Sequence, residues 1–309
     1  MKKVAFIFPG QGSQSIGMGR DFYDSSDVAK EMIDSSSERL GFDFKELLFE
    51  ENDKLAQTAY TQPAILLVSS IAHKLFENDM SIKPVFSMGH SLGEFSALVS
   101  VGALDYLDGV DLVHSRGKLM AEACSGVDVG MMALIGLDDE SVEDITKKAR
   151  DEGKKVWAAN YNSDGQIVAA GAKEDLVSLE LVFKEAGAKR ALLLPMSVAS
   201  HCPILESAVP PLEEKMQKVL KDEFISPVIS NVSAEFYSSK DEAIKLLAQQ
   251  LTKPVLYKQS IIKFEDEVDL FIEFGGNVLK GLNRRSTKKP THAVTDIKSL
   301  QEAFELLKG

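Results

Sequence analysis

The motif GHSLG at residues 89–93 constrains this chain more than any other feature. The apolar run at residues 85–88 is too short for a helix, whereas the Ala-, Leu- and Val-rich segment that follows Glu94 has helical spacing. A strand, a tight turn with G-x-S-x-G and then a helix are typical of a nucleophile elbow. The motif therefore predicts that Ser91 sits on a strained turn at the C-terminal edge of a sheet. A Cβ on either flanking glycine would press on a neighbouring strand or helix.

A serine nucleophile needs a base, and the chain contains five histidines. His201 suits this role best, because it lies in an irregular polar loop at residues 197–203, between two predicted domains, where catalytic groups concentrate. No Asp or Glu lies beside it in the sequence, so we expect a backbone carbonyl to orient the imidazole. The result would be a dyad of Ser91 and His201. The other histidines are expected to line the pocket (His90) or to serve in packing or at the surface (His73, His114 and His292).

The overall charge limits the classes of partner. The 309 residues carry a formal net charge of −12, which argues against a general binder of nucleic acid or of a membrane surface. The apolar run at residues 4–8 is too short for a signal-peptide core, and no stretch approaches the length of a transmembrane helix. Cys124 and Cys202 match neither a disulfide framework nor a metal motif. We therefore expect a cytoplasmic protein in which an anionic partner would meet a local basic patch.

The spacing of apolar residues divides the chain into a core and an insert. From residue 129 the predicted order changes to β-α-β-β-α-β, which matches a ferredoxin-like unit with its own small sheet. We therefore place an inserted subdomain at residues 126–197 of an α/β protein, with residues 1–125 and 198–309 forming the core. The predicted elements of the insert are strands at 129–135, 156–161, 166–170 and 191–194 and helices at 138–152 and 173–186.

The core has a mixture of predicted strands and helices. The loop at residues 10–14 lacks the lysine of a phosphate-binding loop. It is either a flexible turn or, as its place at the C-terminal end of a parallel strand favours, a loop that donates a backbone N–H to the site. A helix is expected to start at Thr61-Gln62-Pro63, and Pro254 is expected to open another. The remaining predicted elements are strands at 4–8, 228–232, 269–274 and 293–295 and helices at 111–123, 204–222, 239–251 and 297–307.

Several separated motifs occur together in a consistent order. They are residues 10–14 (GQGSQ), 89–94 (GHSLGE), Arg116, 162–166 (NSDGQ) with Gly171, 200–202 (SHC), and Gln250 followed by Leu251, Pro254 and Val255. With these motifs the chain resembles the malonyl-CoA:acyl carrier protein transacylase family from Val4 to about Arg285. The resemblance implies an α/β-hydrolase-like core with an inserted ferredoxin-like subdomain, which agrees with the change of pattern at residue 129.

The resemblance also implies roles for single residues. Ser91 would carry the malonyl group, and His201 would act as general base and then as general acid. Arg116 would bind the free malonyl carboxylate through its planar guanidinium. The backbone N–H groups of Gln11 and Leu92 would form the oxyanion hole. Other residues expected at the pocket are Gln250, whose main-chain carbonyl would orient His201, and Asn162, Asn231 and His90.

The implied reaction is a ping-pong transfer from malonyl-CoA to the phosphopantetheine thiol of holo acyl carrier protein, supplying fatty-acid chain elongation. Coenzyme A and phosphopantetheine thioesters would be substrates, and no bound cofactor, metal, nucleic acid or membrane is expected for what would be a monomer. Carrier proteins are acidic, so docking needs a local basic surface. The candidate residues are Lys189, Arg190, Lys280, Arg284 and Arg285, although scattered solvated charges remain an alternative for them.

Two other functions stay open at this point. A serine esterase or thioesterase would also need the elbow and His201, but it would use water as acceptor and would have no use for Arg116. A catalytically silent scaffold for carrier proteins is the third hypothesis, and the presence of Ser91, His201 and Arg116 together argues against it.

Overall fold

The computed structural model describes residues 2–308 and contains two separate β-sheets. The strands are β1 (Val4–Phe8), β2 (Phe86–Gly89), β3 (Val129–Ile135), β4 (Val156–Ser163), β5 (Gln166–Ala172), β6 (Arg190–Leu193), β7 (Val228–Ile229), β8 (Phe236–Tyr237), β9 (Leu270–Phe274) and β10 (Thr291–Val294). The helices are α1 (Arg20–Ser25), α2 (Asp27–Leu40), α3 (Phe44–Phe49), α4 (Thr58–Asp79), α5 (Gly93–Ser100), α6 (Tyr106–Ala123), α7 (Asp139–Asp151), α8 (Lys173–Glu185), α9 (Val209–Val219), α10 (Lys240–Gln250), α11 (Tyr257–Phe264), α12 (Val278–Ser286) and α13 (Ile297–Lys308).

The larger sheet has the strand order β10-β9-β1-β2-β7-β8, and all its pairs are parallel except β7 with β8. Every residue of β1 and β9 is buried, as expected for strands that are covered on both faces. Successive side chains point to opposite faces. Phe6 and Phe8 therefore pack in the core on one face with Phe274, whereas Ala5 and Ile7 pack on the other.

The smaller sheet is antiparallel and has the order β4-β5-β3-β6. Helices α7 and α8 cover one face and enclose a separate hydrophobic cluster that includes Leu134 and Phe183. Residues on the other face, such as Met131 and Val168, join the main core. The observed order β3-α7-β4-β5-α8-β6 is the order predicted from the sequence, with each end within two residues of its expected position.

Helix α4 begins at Thr58 rather than at the predicted Thr61, and Pro63 therefore lies inside it. Proline has no N–H, so it cannot donate to the carbonyl of Ala59 four residues earlier. The Nδ1 atom of His114 lies 2.6 Å from that oxygen and satisfies it instead. The predicted boundary was wrong because it placed Pro63 in the first turn of the helix. The hydrogen bond from His114 allows this proline to lie further inside the helix.

Other boundaries also differ from the predictions. Helix α6 begins at Tyr106 rather than at residue 111, because the Asp105 side chain accepts from the Leu107 N–H and caps the helix. The prediction that Pro254 opens a helix is wrong: Val255 forms an isolated bridge with Asn160 before α11 begins. The predicted helix at 204–222 is a 3₁₀ turn followed by α9, and β8 and helices α1, α2, α3 and α12 had no counterpart among the predictions. Among the described residues, none of the helices combines the length and apolar character needed to cross a membrane.

Candidate active site

The turn between β2 and α5 has the geometry of a nucleophile elbow. Ser91 lies on it with φ 51°, in the left-handed region that side chains rarely adopt. A Cβ on Gly89 would lie 1.9 Å from the carbonyl carbon of Gly93, and a Cβ on Gly93 would lie 2.0 Å from the oxygen of Phe8. These contacts are with backbone atoms, which cannot easily move. The prediction that both glycines are required by close packing is therefore confirmed.

The elbow borders a cavity of about 210 Å³ between the two sheets. The structure brings most of the predicted site residues to this one cavity, and its far wall is formed by residues of the smaller sheet such as Val168. The predicted residues that line it are Gln11, His90, Ser91, Leu92, Arg116, Asn162 and His201. Gln250 is fully buried and reaches the same site through hydrogen bonds.

His201 is held by a main-chain carbonyl. Its backbone has φ 62°, and its Nδ1 atom lies 2.7 Å from the oxygen of Gln250. A carbonyl oxygen can only accept, so Nδ1 carries the proton and Nε2 is left as an acceptor. Gln250 is the last residue of α10, and the residue four positions later, Pro254, has no N–H to donate to this oxygen. The end of a helix thus provides a free carbonyl where a triad would use a carboxylate.

The surroundings of His201 keep it neutral. The pKa of His201 is lowered to about 3, mainly by burial and to a smaller extent by the positive charge of Arg116. A neutral imidazole at pH 7 can accept a proton. No hydrogen bond joins His201 to Ser91 in the described part of the chain; instead, Arg116 Nη2 donates to Ser91 Oγ at 3.3 Å. Catalytic hydrogen bonds are often long in enzymes without substrate.

Arg116 is a buried cation that forms no salt bridge within residues 2–308, although the carboxyl group of Glu94 is near enough to raise its pKa. Its Nη1 atom donates to Gln62 Oε1 at 2.8 Å and its Nη2 atom donates to Gln250 Oε1 at 3.0 Å. Burial lowers its pKa only to about 10, so the group stays charged at neutral pH. Because neutral amides hold the guanidinium, its charge remains available for an anion in the cavity.

Two residues with free main-chain N–H groups line the same cavity. Gln11 follows β1, and Leu92 directly precedes α5 at the positive end of that helix. Both residues line the cavity, and neither N–H donates a hydrogen bond to another group of the chain between residues 2 and 308. The loop of Gln11 lies close to the elbow, since a Cβ on Gly10 would lie 2.3 Å from the oxygen of His90.

Asn162 and Asn231 support the residues around the serine. Asn162 Oδ1 lies 2.7 Å from His90 Nε2, while the Ser91 N–H donates to Asn231 Oδ1 at 2.7 Å. Asn231 Nδ2 in turn donates to the oxygen of Gly89 at 2.7 Å. These bonds fix the backbone on both sides of the serine.

Sequence reasoning assigned no role to two buried residues of the site. Gln62, which binds Arg116, lies in an otherwise apolar segment of α4, and Glu94 lies in the first turn of α5. A buried polar residue within an apolar helical face is the signal that could have indicated Gln62. An acidic residue is common in the first turn of a helix, so no separate signal in the sequence indicated Glu94.

The five basic residues proposed for docking are only partly grouped. Arg285 Nη1 lies 3.5 Å from the side chain of Gln166, which lines the cavity. Lys189 packs against Gly136, whose N–H bonds to Gly165 beside Gln166. Lys189 and Arg285 therefore both lie near the β4–β5 turn. Arg190 and Arg284 are exposed nearby on β6 and α12, whereas Lys280 is half-buried.

Other groups in the described chain do not add to the site. Cys124 and Cys202 are buried free thiols. Within residues 2–308, no three His, Cys, Asp or Glu side chains are close enough to share a metal ion.

Comparisons with known proteins agree on one family. The acyl transferase domain family matches residues 5–296. Malonyl CoA-acyl carrier protein transacylase of Bacillus subtilis is 40% identical over 313 residues, covering 100% of this chain and 98% of its own length. The crystal structure of malonyl-CoA:acyl carrier protein transacylase from Helicobacter pylori is similar with a TM-score of 0.97 and 48% identity, covering 100% of this chain and 99% of that one.

A second solved structure is a complex of a type II PKS acyl-carrier protein with its malonyl-transacylase. It has a TM-score of 0.93 and 36% identity, and it covers 98% of this chain and 99% of that one. The chain therefore belongs to the acyl transferase domain family and, within it, to the malonyl CoA-acyl carrier protein transacylases.

Proposed function

We propose that this protein moves malonyl from malonyl-CoA to the phosphopantetheine thiol of acyl carrier protein through a malonyl-Ser91 intermediate. The observation that carries the proposal is the position of Arg116, a buried guanidinium with Nη2 3.3 Å from Ser91 Oγ. An acyl group that ends in a carboxylate can reach both groups at once. Malonyl-carrier protein made in this way would supply fatty-acid chain elongation.

The first half-reaction loads the serine. Ser91 Oγ attacks the thioester carbonyl carbon, and its proton passes to His201 Nε2, the ring nitrogen left free by the bond to Gln250. The N–H groups of Gln11 and Leu92 would hold the oxyanion of the tetrahedral intermediate. One such donor is typically worth about 10²- to 10³-fold in rate. The C–S bond then breaks, and His201 returns the proton to the thiolate of coenzyme A.

The second half-reaction reverses these steps. The phosphopantetheine thiol gives its proton to His201 Nε2 and attacks the malonyl ester carbon. The C–O bond to Ser91 breaks, and His201 returns the proton to Ser91 Oγ. The acyl donor is a thioester and the acceptor is a thiol, and His201 carries the proton in each step. We therefore propose a reaction that uses no bound cofactor or metal.

Arg116 would provide selectivity for malonyl. The carboxylate of the acyl group forms a charge-assisted pair with the guanidinium, worth roughly 1.5–3 kcal/mol. An acetyl or fatty acyl group cannot form this pair, and it would cover the charge of Arg116 without compensating it. A hydrolase has no comparable need for a buried cation beside its nucleophile, which is why we favour transfer over the esterase or thioesterase alternative.

We propose that the carrier protein docks beside the β4–β5 turn. Lys189 and Arg285 lie near this turn, and Arg285 Nη1 contacts the cavity-lining Gln166. Arg190 and Arg284 extend the positive surface, and Lys280 would lie at its margin. The observation that supports this location is that Asn162 and Gln166, on either side of the turn, line the same cavity as Ser91. A carrier held there would need only its flexible phosphopantetheine to enter the cavity.

The architecture supports a more specific fold assignment. We propose an α/β-hydrolase-like core of residues 1–125 and 198–309 with a ferredoxin-like insert at residues 126–197. When the four strands of the insert are numbered along the chain, their order in the smaller sheet is 4-1-3-2, read from β6. This order fits a ferredoxin-like unit. The remaining part of the proposal is a monomeric enzyme of the cytoplasm, as we expect from the sequence.

The experiment that tests this function is intact-protein mass spectrometry after mixing with malonyl-CoA, with wild type and Ser91→Ala in parallel. Phosphopantetheinylated carrier protein is added next. We expect a malonyl adduct on the wild type alone, followed by movement of the malonyl group to the carrier. Equal loss of the adduct without carrier would support a thioesterase instead. No adduct and no release of coenzyme A would support the scaffold hypothesis.

A further inference from the structure

We propose that Glu94 is a positioning residue. Through the hydrogen bonds that a single carboxyl oxygen accepts, it keeps Arg116, His201 and Ser91 correctly placed relative to one another. The inference rests on the proposed function. Glu94 is fully buried in the first turn of α5. Its Oε2 atom accepts from Gln250 Nε2 at 2.7 Å and from the Asn231 N–H at 3.1 Å.

The bond to Gln250 determines which way that amide points. Gln250 Oε1 accepts from Arg116 Nη2 at 3.0 Å, while Nε2 donates to Glu94 at the other end. A flipped amide would place its NH₂ group against the guanidinium and its oxygen against the carboxyl oxygen. Both contacts would then pair donor with donor or acceptor with acceptor. Glu94 therefore keeps an acceptor directed at Arg116.

The same glutamine also holds the base, because its main-chain oxygen receives the His201 Nδ1–H at 2.7 Å. Gln250 Nε2 further donates to the main-chain oxygen of Ser91 at 3.1 Å. A shift of the Gln250 side chain would therefore disturb the backbone of the nucleophile and the residue that orients the base together.

The bond to Asn231 supports the elbow. Glu94 Oε2 fixes the main chain of Asn231, whose side chain accepts the Ser91 N–H and donates to the oxygen of Gly89. One oxygen thus acts through two neighbours on the nucleophile, the base and the cation. The second oxygen, Oε1, has no hydrogen-bond partner within the described residues.

The arrangement depends on where the oxygen lies more than on its charge. No hydrogen bond or salt bridge joins Arg116 to Glu94; the amide of Gln250 lies between them, and the two charges attract each other across it. Burial raises the pKa of Glu94 to about 7, and a proton on the partner-free Oε1 would leave Oε2 as an acceptor. The Tyr237 hydroxyl is close enough to lower the pKa of this carboxyl group, although no hydrogen bond joins the two side chains in the described chain.

Three substitutions separate reach from charge. Glu94→Gln keeps the length and an acceptor oxygen but removes the charge. Its carbonyl oxygen is expected to occupy the Oε2 position, because Gln250 Nε2 and the Asn231 N–H both donate there. Glu94→Asp keeps the charge but is one methylene shorter, and Glu94→Leu removes both properties. Single-turnover loading of Ser91 is measured by intact mass with malonyl-CoA and, separately, with acetyl-CoA.

We expect Glu94→Gln to load malonyl within about threefold of the wild type. Glu94→Asp and Glu94→Leu should load malonyl about 100-fold more slowly, because small displacements of reacting groups have effects of that size. Their acetyl loading should fall only about tenfold, since acetyl does not use the Arg116 contact. The malonyl-to-acetyl ratio should therefore fall about tenfold, and thermal unfolding of each variant shows that it is folded.

Three outcomes would overturn the inference. The first is that Glu94→Asp behaves as the wild type while Glu94→Gln is impaired, which would make charge the working property. The second is an equal fall for both acyl groups, which indicates a merely structural role, and the third is unchanged loading in all variants. Glu94→Asp and Glu94→Gln give a decision even if Glu94→Leu does not fold. Failure of the proposed function is distinct, because the wild type itself would then load no malonyl.

Discussion

His201 Nδ1 lies 2.7 Å from the main-chain oxygen of Gln250, an oxygen left free because α10 ends at this residue. A histidine also binds a free main-chain oxygen within α4, where Pro63 has no N–H to donate to the Ala59 oxygen and His114 Nδ1 lies 2.6 Å from it. In both cases a histidine donates to a carbonyl that lacks its usual helical partner. At His201 the consequence is an oriented, neutral base without a carboxylate.

The rate of Ser91 loading should change little at moderately acidic pH. For a histidine with the ordinary pKa of 6.5, the neutral fraction falls about tenfold between pH 7.5 and pH 5.5. Burial lowers the pKa of His201 to about 3, so the base stays neutral throughout this range. We expect the single-turnover rate to change by less than about twofold.

Glu94 also titrates in that window, because its pKa is raised to about 7. Glu94→Gln serves as the control, since it removes this group and leaves the histidine. A tenfold fall with a midpoint near pH 6.5 in both proteins would contradict the neutral state of His201.

Replacement of Arg116 should change selectivity more than reactivity. In Arg116→Ala we expect kcat/KM for malonyl-CoA to fall about 10- to 100-fold, the effect of losing one charge-assisted pair. The kcat/KM for acetyl-CoA should fall less, because its acyl group has no carboxylate. Steady-state transfer with both substrates gives the ratio, and Arg116→Lys tests whether the planar guanidinium or only the charge is needed. A proportionate loss for both substrates would argue against carboxylate binding.

The two elbow glycines should not tolerate a methyl group. In Gly89→Ala and Gly93→Ala the new Cβ would lie within about 2 Å of backbone atoms, at 1.9 and 2.0 Å. We expect each to lower the free energy of unfolding by about 2–4 kcal/mol in urea titrations. Gly281→Ala in α12 is the matched control, because no heavy atom lies within 4 Å there and the helix should gain about 0.5–1 kcal/mol. Equal stabilities for the three variants would refute the steric explanation.

Charge reversal on α12 should weaken transfer to the carrier. In the double variant Arg284→Glu and Arg285→Glu, KM for the carrier protein is expected to rise about tenfold at low salt and to recover partly at 0.5 M salt, since exposed charges are screened (roughly 3–10 Å Debye length). The double variant Lys298→Glu and Lys308→Glu on α13 makes the same change in net charge elsewhere. Unchanged carrier turnover in the first variant, or an equal loss in the second, would refute docking at this surface.

Local features were predictable because they depend on residues close together in the chain. The elbow follows from a short apolar strand, two glycines and a helix within 15 residues, and the order of the insert follows from its alternating periods. The errors at Thr58, Tyr106 and Pro254 arose where a contact or cap outside the pattern set the boundary.

The sequence by itself determined the candidate nucleophile, the candidate base and the division into two sheets. Only the tertiary structure decided how they meet: Ser91 and Gln250 are 159 positions apart, and their contact depends on how β2 and α10 pack. Gln62 and Glu94 became visible as site residues for the same reason. Periodicity reports which face of an element is buried, but the partners of a buried polar atom come from distant elements, so hydrogen-bond networks have to be read from the folded chain.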